Sequence, residues 1–595
     1  MVTRETATGS NTMVVTRDRL GASRLALAVA LALSSGGCSD DGGDASDAST
    51  AASATASTGT TGASDGSASA STTASTDGSA SASTSASASA SASASASASG
   101  TSTSTTGEDT TGDTGGDPGG VPATGCPGRL TPAAPAGTVV TVGDGTAASC
   151  TEAALHAAAD QVNAADGGGT ILFECGGEHT VTLAASLFLK GDILLDGGGL
   201  ITLSGGAAVR VIELDHYTNL TIQRITVRDG FVPAGSEDES GAGLLHPWFG
   251  TLRAIDVAFL DNQSASLDHD VGGGAIYAGG LTEAVLSGCT FIGNSGSTGG
   301  GVLSRSTNLR VVDTVFEANA ATSYAESGQY GNGGGLYIDR MWLDAPIDFE
   351  ICGARFTGNH AKVHGSAFFS YNLEGTQATF DRCTFEGNDM QGSPGGGTGT
   401  VYHEGVPLRL LASTFADNTT GLHAGGLFLG GGTDAHVENC TFVANKTPGN
   451  AGALWAGNGA VDITNTTFAA NDADYGPAIF KGQSGAVTLK NVIFAGNTTA
   501  NMFSALACHE TFADGGGNLQ WPDIKNNGNA DTPCAAAVLF ADPALLPLAD
   551  NGGPTPTLAL TPRSPALDIA PTCPPNDQRG LPRNGLCDAG AYELQ

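Results

Sequence analysis

Charge is scarce in this 595-residue chain. Only 14% of its residues are Asp, Glu, Lys or Arg, and the 24 bases are outnumbered by 59 acids, for a net charge of −35. A phosphate-binding face needs clustered Lys and Arg, so nucleic acid is excluded as a partner. Electrostatic docking on anionic lipid is disfavoured on the same ground. Aromatic residues make up 6% of the chain, with four Trp. There is no Cys-x-x-Cys pair and the histidines are scattered, which removes a zinc site. The 88 glycines follow no Gly-X-Y period, so collagen is excluded. Twelve cysteines suit an oxidising compartment but are too dilute for a disulfide-held miniprotein.

What is present begins with an export signal. Arg17, Arg19 and Arg24 precede the nine-residue apolar run Leu25–Leu33, too short to span a bilayer as a helix and sized for a signal peptide. Small residues then lead to Cys38 in Ser34-Ser35-Gly36-Gly37-Cys38. From Ser39 to about Gly120 the chain is Ser, Ala, Thr, Gly and Asp, with no Lys, Arg or aromatic residue. Such a segment cannot bury enough apolar area to offset chain entropy, and it reads as a disordered tether spanning on the order of 50 Å. Val, Ile, Leu and Phe runs then begin. The organisation expected is signal 1–38, tether 39–124 and one folded domain 125–595, whose closing cap is 535–595.

Internal repeats set the expected fold. A Phe-x-x-Asn unit recurs at Phe259/Asn262, Phe291/Asn294, Phe316/Asn319, Phe356/Asn359, Phe385/Asn388, Phe415/Asn418, Phe442/Asn445, Phe468/Asn471 and Phe494/Asn497. Between successive units lies a Gly-rich then apolar element, such as Gly272–Tyr277 or Gly333–Ile338. The segment before each Phe alternates apolar and polar, as in Val461–Phe468, which is the period of a strand. An all-strand repeat of 25 to 40 residues buries its apolar face only by stacking on its neighbours. The expected fold is therefore all-β: a single right-handed parallel β-helix, or solenoid, of roughly 11 or 12 coils. Phe would stack on Phe and Asn amides would form a ladder. Thr151 caps a predicted helix over 152–165, whose apolar residues would plug the open end of the stack.

Four resemblances follow from these motifs. Small residues before Cys38 resemble a bacterial lipoprotein cleavage site, which implies lipidation at Cys38, and Ser39 implies outer-membrane delivery. The Phe-x-x-Asn and Gly-Gly-Ala-x-Ile elements, such as Phe291/Asn294 and Gly272–Ile276, resemble the repeats of chlamydial polymorphic outer-membrane proteins. The helix with Ile193–Gly206 is similar to the start of pectin-lyase-like right-handed β-helices. Ser564–Pro571, Asp577–Arg583 and Cys587–Glu593 resemble the closing segment of choice-of-anchor surface proteins. The implied setting is an exported lipoprotein on the outer membrane or cell surface, or released from it, with a membrane contact through Cys38.

Cys289, Cys383 and Cys440 each lie two residues before a repeat Phe on non-adjacent rungs, beyond disulfide reach, and are expected as buried free thiols. Cys150–Cys175, Cys508–Cys534 and Cys573–Cys587 are the expected bridges, with Cys126 unassigned.

Candidate chemistry is thin. A polygalacturonase-like hydrolase would show Asp-Asp, Gly-His-Gly and Arg-x-Lys, and none of these lies in the repeats. The dense polar pairs after the glycine strands are Asp339-Arg340 and His403-Glu404, and an enzyme would need all four to converge. Asp339 and Glu404 would lie two rungs, about 10 Å, apart, slightly beyond the spacing of an inverting glycosidase. Aligned on the glycines, a column containing Tyr277, Phe369, Tyr402, Trp455 and Phe480 is a ligand strip if it faces out and core if it faces in; core is the favoured placement. The insert Ser236–Gly250, with Trp248, reads as a solvated acidic loop, and Leu267–Asp270 as a weak metal candidate. The function expected is a non-catalytic, monomeric surface protein acting in adhesion or in envelope or polysaccharide interaction. No cofactor is expected; calcium is not indicated. A polysaccharide lyase or glycosidase with an atypical site is the alternative.

Overall fold

The computed structural model describes residues 124–268, 271–323, 331–339, 347–372, 375–390 and 397–595, all within the unit Glu108–Gln595. The signal, Cys38, the tether up to residue 123, His269, Asp270 and Arg340 lie outside the described residues.

The chain is all-β, with long parallel sheets in which each repeat adds one strand to each ladder. The first ladder takes the strands before each Phe, for example Leu408–Leu411, Ala435–Glu438 and Ala460–Thr464. The Phe ladder takes the short strands around the repeat Phe, such as Phe385 paired with Phe415 and Phe415 with Phe442. The long early strands Asp192–Ser204 and Asn219–Arg228 run through both ladders and join them into one sheet. A third, 11-stranded ladder takes the strands after the glycines, from Leu187–Leu189 to Ile479–Lys481. Two-residue strands following the repeat Asn make a small fourth ladder.

The repeat Phe residues are fully buried and stack ring on ring from Phe259 to Phe494, with centroids 4.6 to 5.5 Å apart. Three residues later the buried Asn amides form a continuous ladder. Asn388 Nδ2 donates to Asn418 Oδ1 at 2.9 Å and to Phe356 O at 2.9 Å, while Asn388 Oδ1 accepts from Asn359 N and Nδ2. Each amide thus satisfies buried groups that burial would otherwise penalise. The glycine runs allow close approach between rungs: a Cβ on Gly334 would fall 2.2 Å from Ser366 O.

The predicted helix forms as α1 (Glu152–Ala164), with the Thr151 hydroxyl accepting from Ala154 N. It adds Leu155, Ala158, Ala159 and Val162 to the core at the first rungs. The insert read as a loop is partly regular structure. Leu244–His246 is a strand of the third ladder, and Gly241-Ala242-Gly243 before it is a further copy of the glycine element. Its start, near Glu237 and Asp238, is exposed, and so is Phe249 near its end.

The two ends of the described chain lie along one corner, the turn column between the first ladder and the Phe ladder. Residues 124–136 form a strap. Arg129 pairs with Asp256 at 2.6 Å, Leu130 N reaches Ser287, and Ala133 exchanges hydrogen bonds with buried Gln223. The C-terminal segment covers the same corner on later rungs, where Asn439 meets Asn576 and Asn465 meets Asp588. A buried ionic cluster stiffens it: Arg579 pairs with Asp577 and Arg583 with Glu593. Four disulfides are present. Three are the pairs expected from the sequence, and the fourth joins Cys126 of the strap to Cys352. Cys289, Cys383 and Cys440 are free and buried.

Candidate functional site: an outward aromatic ladder

Backbone pairing fixes which side chains share a face of the third ladder. Ile276 pairs with Val302, Val302 with Leu336, Leu336 with Phe368 and Phe368 with Val401. These residues are at most 1% exposed and belong to the core. Because strand side chains alternate, the next column faces away from the core. It runs Tyr277, Leu303, Tyr337, Phe369, Tyr402, Phe428, Trp455, Phe480.

This corrects the sequence-based reading twice. The strip is not core, and Leu303, Tyr337 and Phe428 occupy it where alignment on the glycines would put Ser304, Ile338 and Leu429. The cause is one residue. Ala275 follows the glycines on one rung, whereas Gly301 holds the equivalent place on the next, with Ala275 N bonded to Gly301 O. A slip of one residue exchanges the faces.

From Tyr337 to Phe480 the rings are contiguous, with centroids 4.6 to 5.5 Å apart, and His509 extends the stack 4.3 Å beyond Phe480. Each ring lies roughly parallel to the next, so the ring faces are spent on one another and the edges point outward. Phe369 is only 7% exposed, and the other rings of this run are half-buried. His364 lies 5.0 Å from Tyr402, and His423 lies 5.0 Å from Trp455. Burial lowers the pKa of both, that of His364 to about 4, so both are neutral at pH 7.

Beside the rings runs a polar column of Arg305, Asp339, Tyr371 and Glu404. Asp339 and Glu404 are two rungs apart, as expected, with the 40% exposed Tyr371 between them. Both acids are engaged. Tyr337 Oη donates to Asp339 at 3.3 Å, Arg305 lies 3.6 Å from the same carboxylate, and Tyr402 Oη donates to Glu404 at 2.8 Å. Burial, and then the Glu404 carboxylate, push the Tyr402 phenol up.

His403 does not join them. It is fully buried, accepts from Ser370 Oγ at 2.6 Å through Nδ1, and donates from Nε2 to Val406 O at 2.7 Å. Burial lowers its pKa to about 4. The four residues that an enzyme would need are therefore divided: Asp339 and Glu404 face outward, His403 faces the core, and Arg340 is outside the described residues. Among the described residues, no group of three or more His, Cys, Asp and Glu is placed to hold a metal ion. Asp268 is exposed, and Trp248 is half-buried.

Sequence reasoning missed Cys352 as the partner of Cys126, and it missed Tyr217 and Phe249. These two sit 69% and 39% exposed on adjacent turns, with ring centroids 4.8 Å apart. No protein-family model matches the chain, and no curated protein is significantly similar to it.

Proposed function

We infer that the folded domain is a right-handed parallel β-helix closed at its start by α1, and that it serves as a non-catalytic surface display element. In this reading a lipid on Cys38 anchors the chain to the outer membrane or cell surface, and residues 39–124 hold the domain away from it. Adhesion or envelope polysaccharide contact is the role that best suits such a body.

One observation carries the non-catalytic reading: consecutive residues His403 and Glu404 stand on opposite faces of one ladder. General acid–base catalysis requires groups within hydrogen-bonding reach of one substrate. Here the imidazole is sealed in the core and the carboxylate is held by Tyr402. The edge-on aromatic ladder supports the same reading, because stacking between rungs stiffens the body and leaves few ring faces for catalytic subsites.

Cells expressing the full chain, labelled with a clickable palmitate analogue and then treated with protease, test the anchoring. Label that disappears in Cys38→Ser, together with protease access to the folded domain, is expected. An unlabelled or fully protected chain contradicts it.

A further inference from the structure

The ring faces missing from the edge-on ladder are available elsewhere. Tyr217 and Phe249 hold left-handed backbone at φ 64° and 68°, which is costly for bulky residues. Glycines flank the pair: Phe249 N donates to Gly280 O on one neighbouring rung, and on the other Gly191 O accepts from Asn219 N, two residues after Tyr217; both glycines take left-handed backbone. Leu281, level with Phe249 on the next rung, is buried in the core, and the two rings keep 69% and 39% of their surface exposed.

The pair adjoins a hollow. Thr251, two residues beyond Phe249, pairs in register with Glu283, and Glu283 is the first residue of a shallow depression of about 460 Å³. That volume falls within the range of small-ligand sites. Its lining joins hydrogen-bonding residues, among them Glu283, Asn308, Arg310, Glu350 and Gln377, to the apolar Leu309 and Phe349. Several groups are held in place. Arg253 lies 3.2 Å from Glu283, and Asn308 accepts from Asp348 N at 3.2 Å. Arg310 also lines it, with its guanidinium held beside Gly128 of the strap.

We propose that this hollow and the Tyr217–Phe249 pair form one binding trough for an uncharged polysaccharide. A pyranose ring offers a face of C–H groups to an aromatic face and a rim of hydroxyls, each both donor and acceptor, to carboxylate, amide and guanidinium groups. Rungs advance about 4.8 Å, so successive rungs meet successive parts of an extended chain. Charge selects the class. The hollow mixes acids with Arg310, and the whole chain carries −35, which disfavours a polyanion. The proposal deepens the non-catalytic polysaccharide reading and rests on it.

Affinity electrophoresis of the folded full chain tests it, in gels containing mixed-linkage β-glucan, galactomannan or dextran, and in gels containing polygalacturonate or alginate. The key variant is Tyr217→Gly/Phe249→Gly, which puts glycine at two left-handed positions and relieves the backbone, so folding is retained. Phe503→Ala, which removes a 75% exposed ring elsewhere, is the control. Retardation by at least one neutral polymer is expected, weakened tenfold or more in the double variant and unchanged in the control. Absence of retardation by every neutral polymer, retardation by acidic polymers alone, or retardation that survives in the double variant overturns the trough. Cleavage of a neutral polymer that the double variant abolishes would support the trough while overturning the non-catalytic reading.

Discussion

His403 and Glu404 are neighbours in the chain and lie on opposite faces of the third ladder: the imidazole is 0% exposed among core residues, and the carboxylate accepts from Tyr402 on the outer face. Strand geometry imposes this, since successive side chains point to opposite sides. The separation makes His403 a structural group and leaves Glu404 without a histidine partner from its own strand.

The first consequence is acid sensitivity. Burial depresses the His403 pKa from 6.5 to about 4, so the folded state holds the proton less tightly than the unfolded chain does. Stability from the neutral imidazole is fully present above about 6.5 and is lost as pH falls towards 4. The loss is on the order of 3 kcal/mol. His364 is shifted in the same sense. Asp588 and Glu593, pushed up by burial, act in the opposite sense as pH rises through their ordinary range. Urea midpoints measured from pH 7 to 4.5 are expected to fall, and to fall less steeply in His403→Leu/Ser370→Ala, which removes the imidazole and its donor together. An equal slope in both proteins refutes the assignment.

The free thiols are predicted to be inert. Burial pushes Cys289 and Cys383 up to about 12, and Cys440 is raised as well. A thiol-specific reagent should modify none of the three in the native protein and all three in denaturant without reductant. Rapid native modification of Cys383 would contradict the buried ladder.

The amide ladder should be intolerant of interruption. Asn388→Leu leaves Asn359 N and Nδ2, Phe356 O and Asn418 Oδ1 each short of a partner. A destabilisation of about 3 kcal/mol or more is expected from chemical unfolding. A loss below about 1 kcal/mol would show that water enters the stack.

The strap should depend on its staple. Cys126–Cys352 closes a loop with a sequence separation of 226. Chain-entropy reasoning puts its contribution at up to about 5 kcal/mol. Cys126→Ser/Cys352→Ser should lower stability and make residues 124–136 exchange amide hydrogens faster than α1. Unchanged exchange would show that Arg129 and Ala133 hold the strap unaided.

Much of this architecture was legible because it repeats. The Phe415/Asn418 unit recurs at one offset from Phe259/Asn262 to Phe494/Asn497, so strand, stack and amide ladder follow from spacing. The face of the aromatic column was not legible, because Ala275 and Gly301 occupy equivalent places and apolar residues flank both sides of the register. Cys352 was missed for a related reason. Its partner lies in a strap outside the repeat, and no period links them. Tyr217 and Phe249 sit in turns whose lengths vary between rungs, so their adjacency exists only once the chain is folded. His403 was misread because a polar residue in a strand suggests solvent, whereas Ser370, one rung earlier in register, gives it a buried partner.

The most direct test is a cleavage assay on the folded full chain, against acidic and neutral polysaccharides, with and without Ca²⁺, reading reducing ends and unsaturated products. No product above a heat-unfolded control is predicted for any polymer. Product formation by the folded chain, lost in Asp339→Ala or Glu404→Ala, would contradict the non-catalytic account and place chemistry on the outer face of the third ladder.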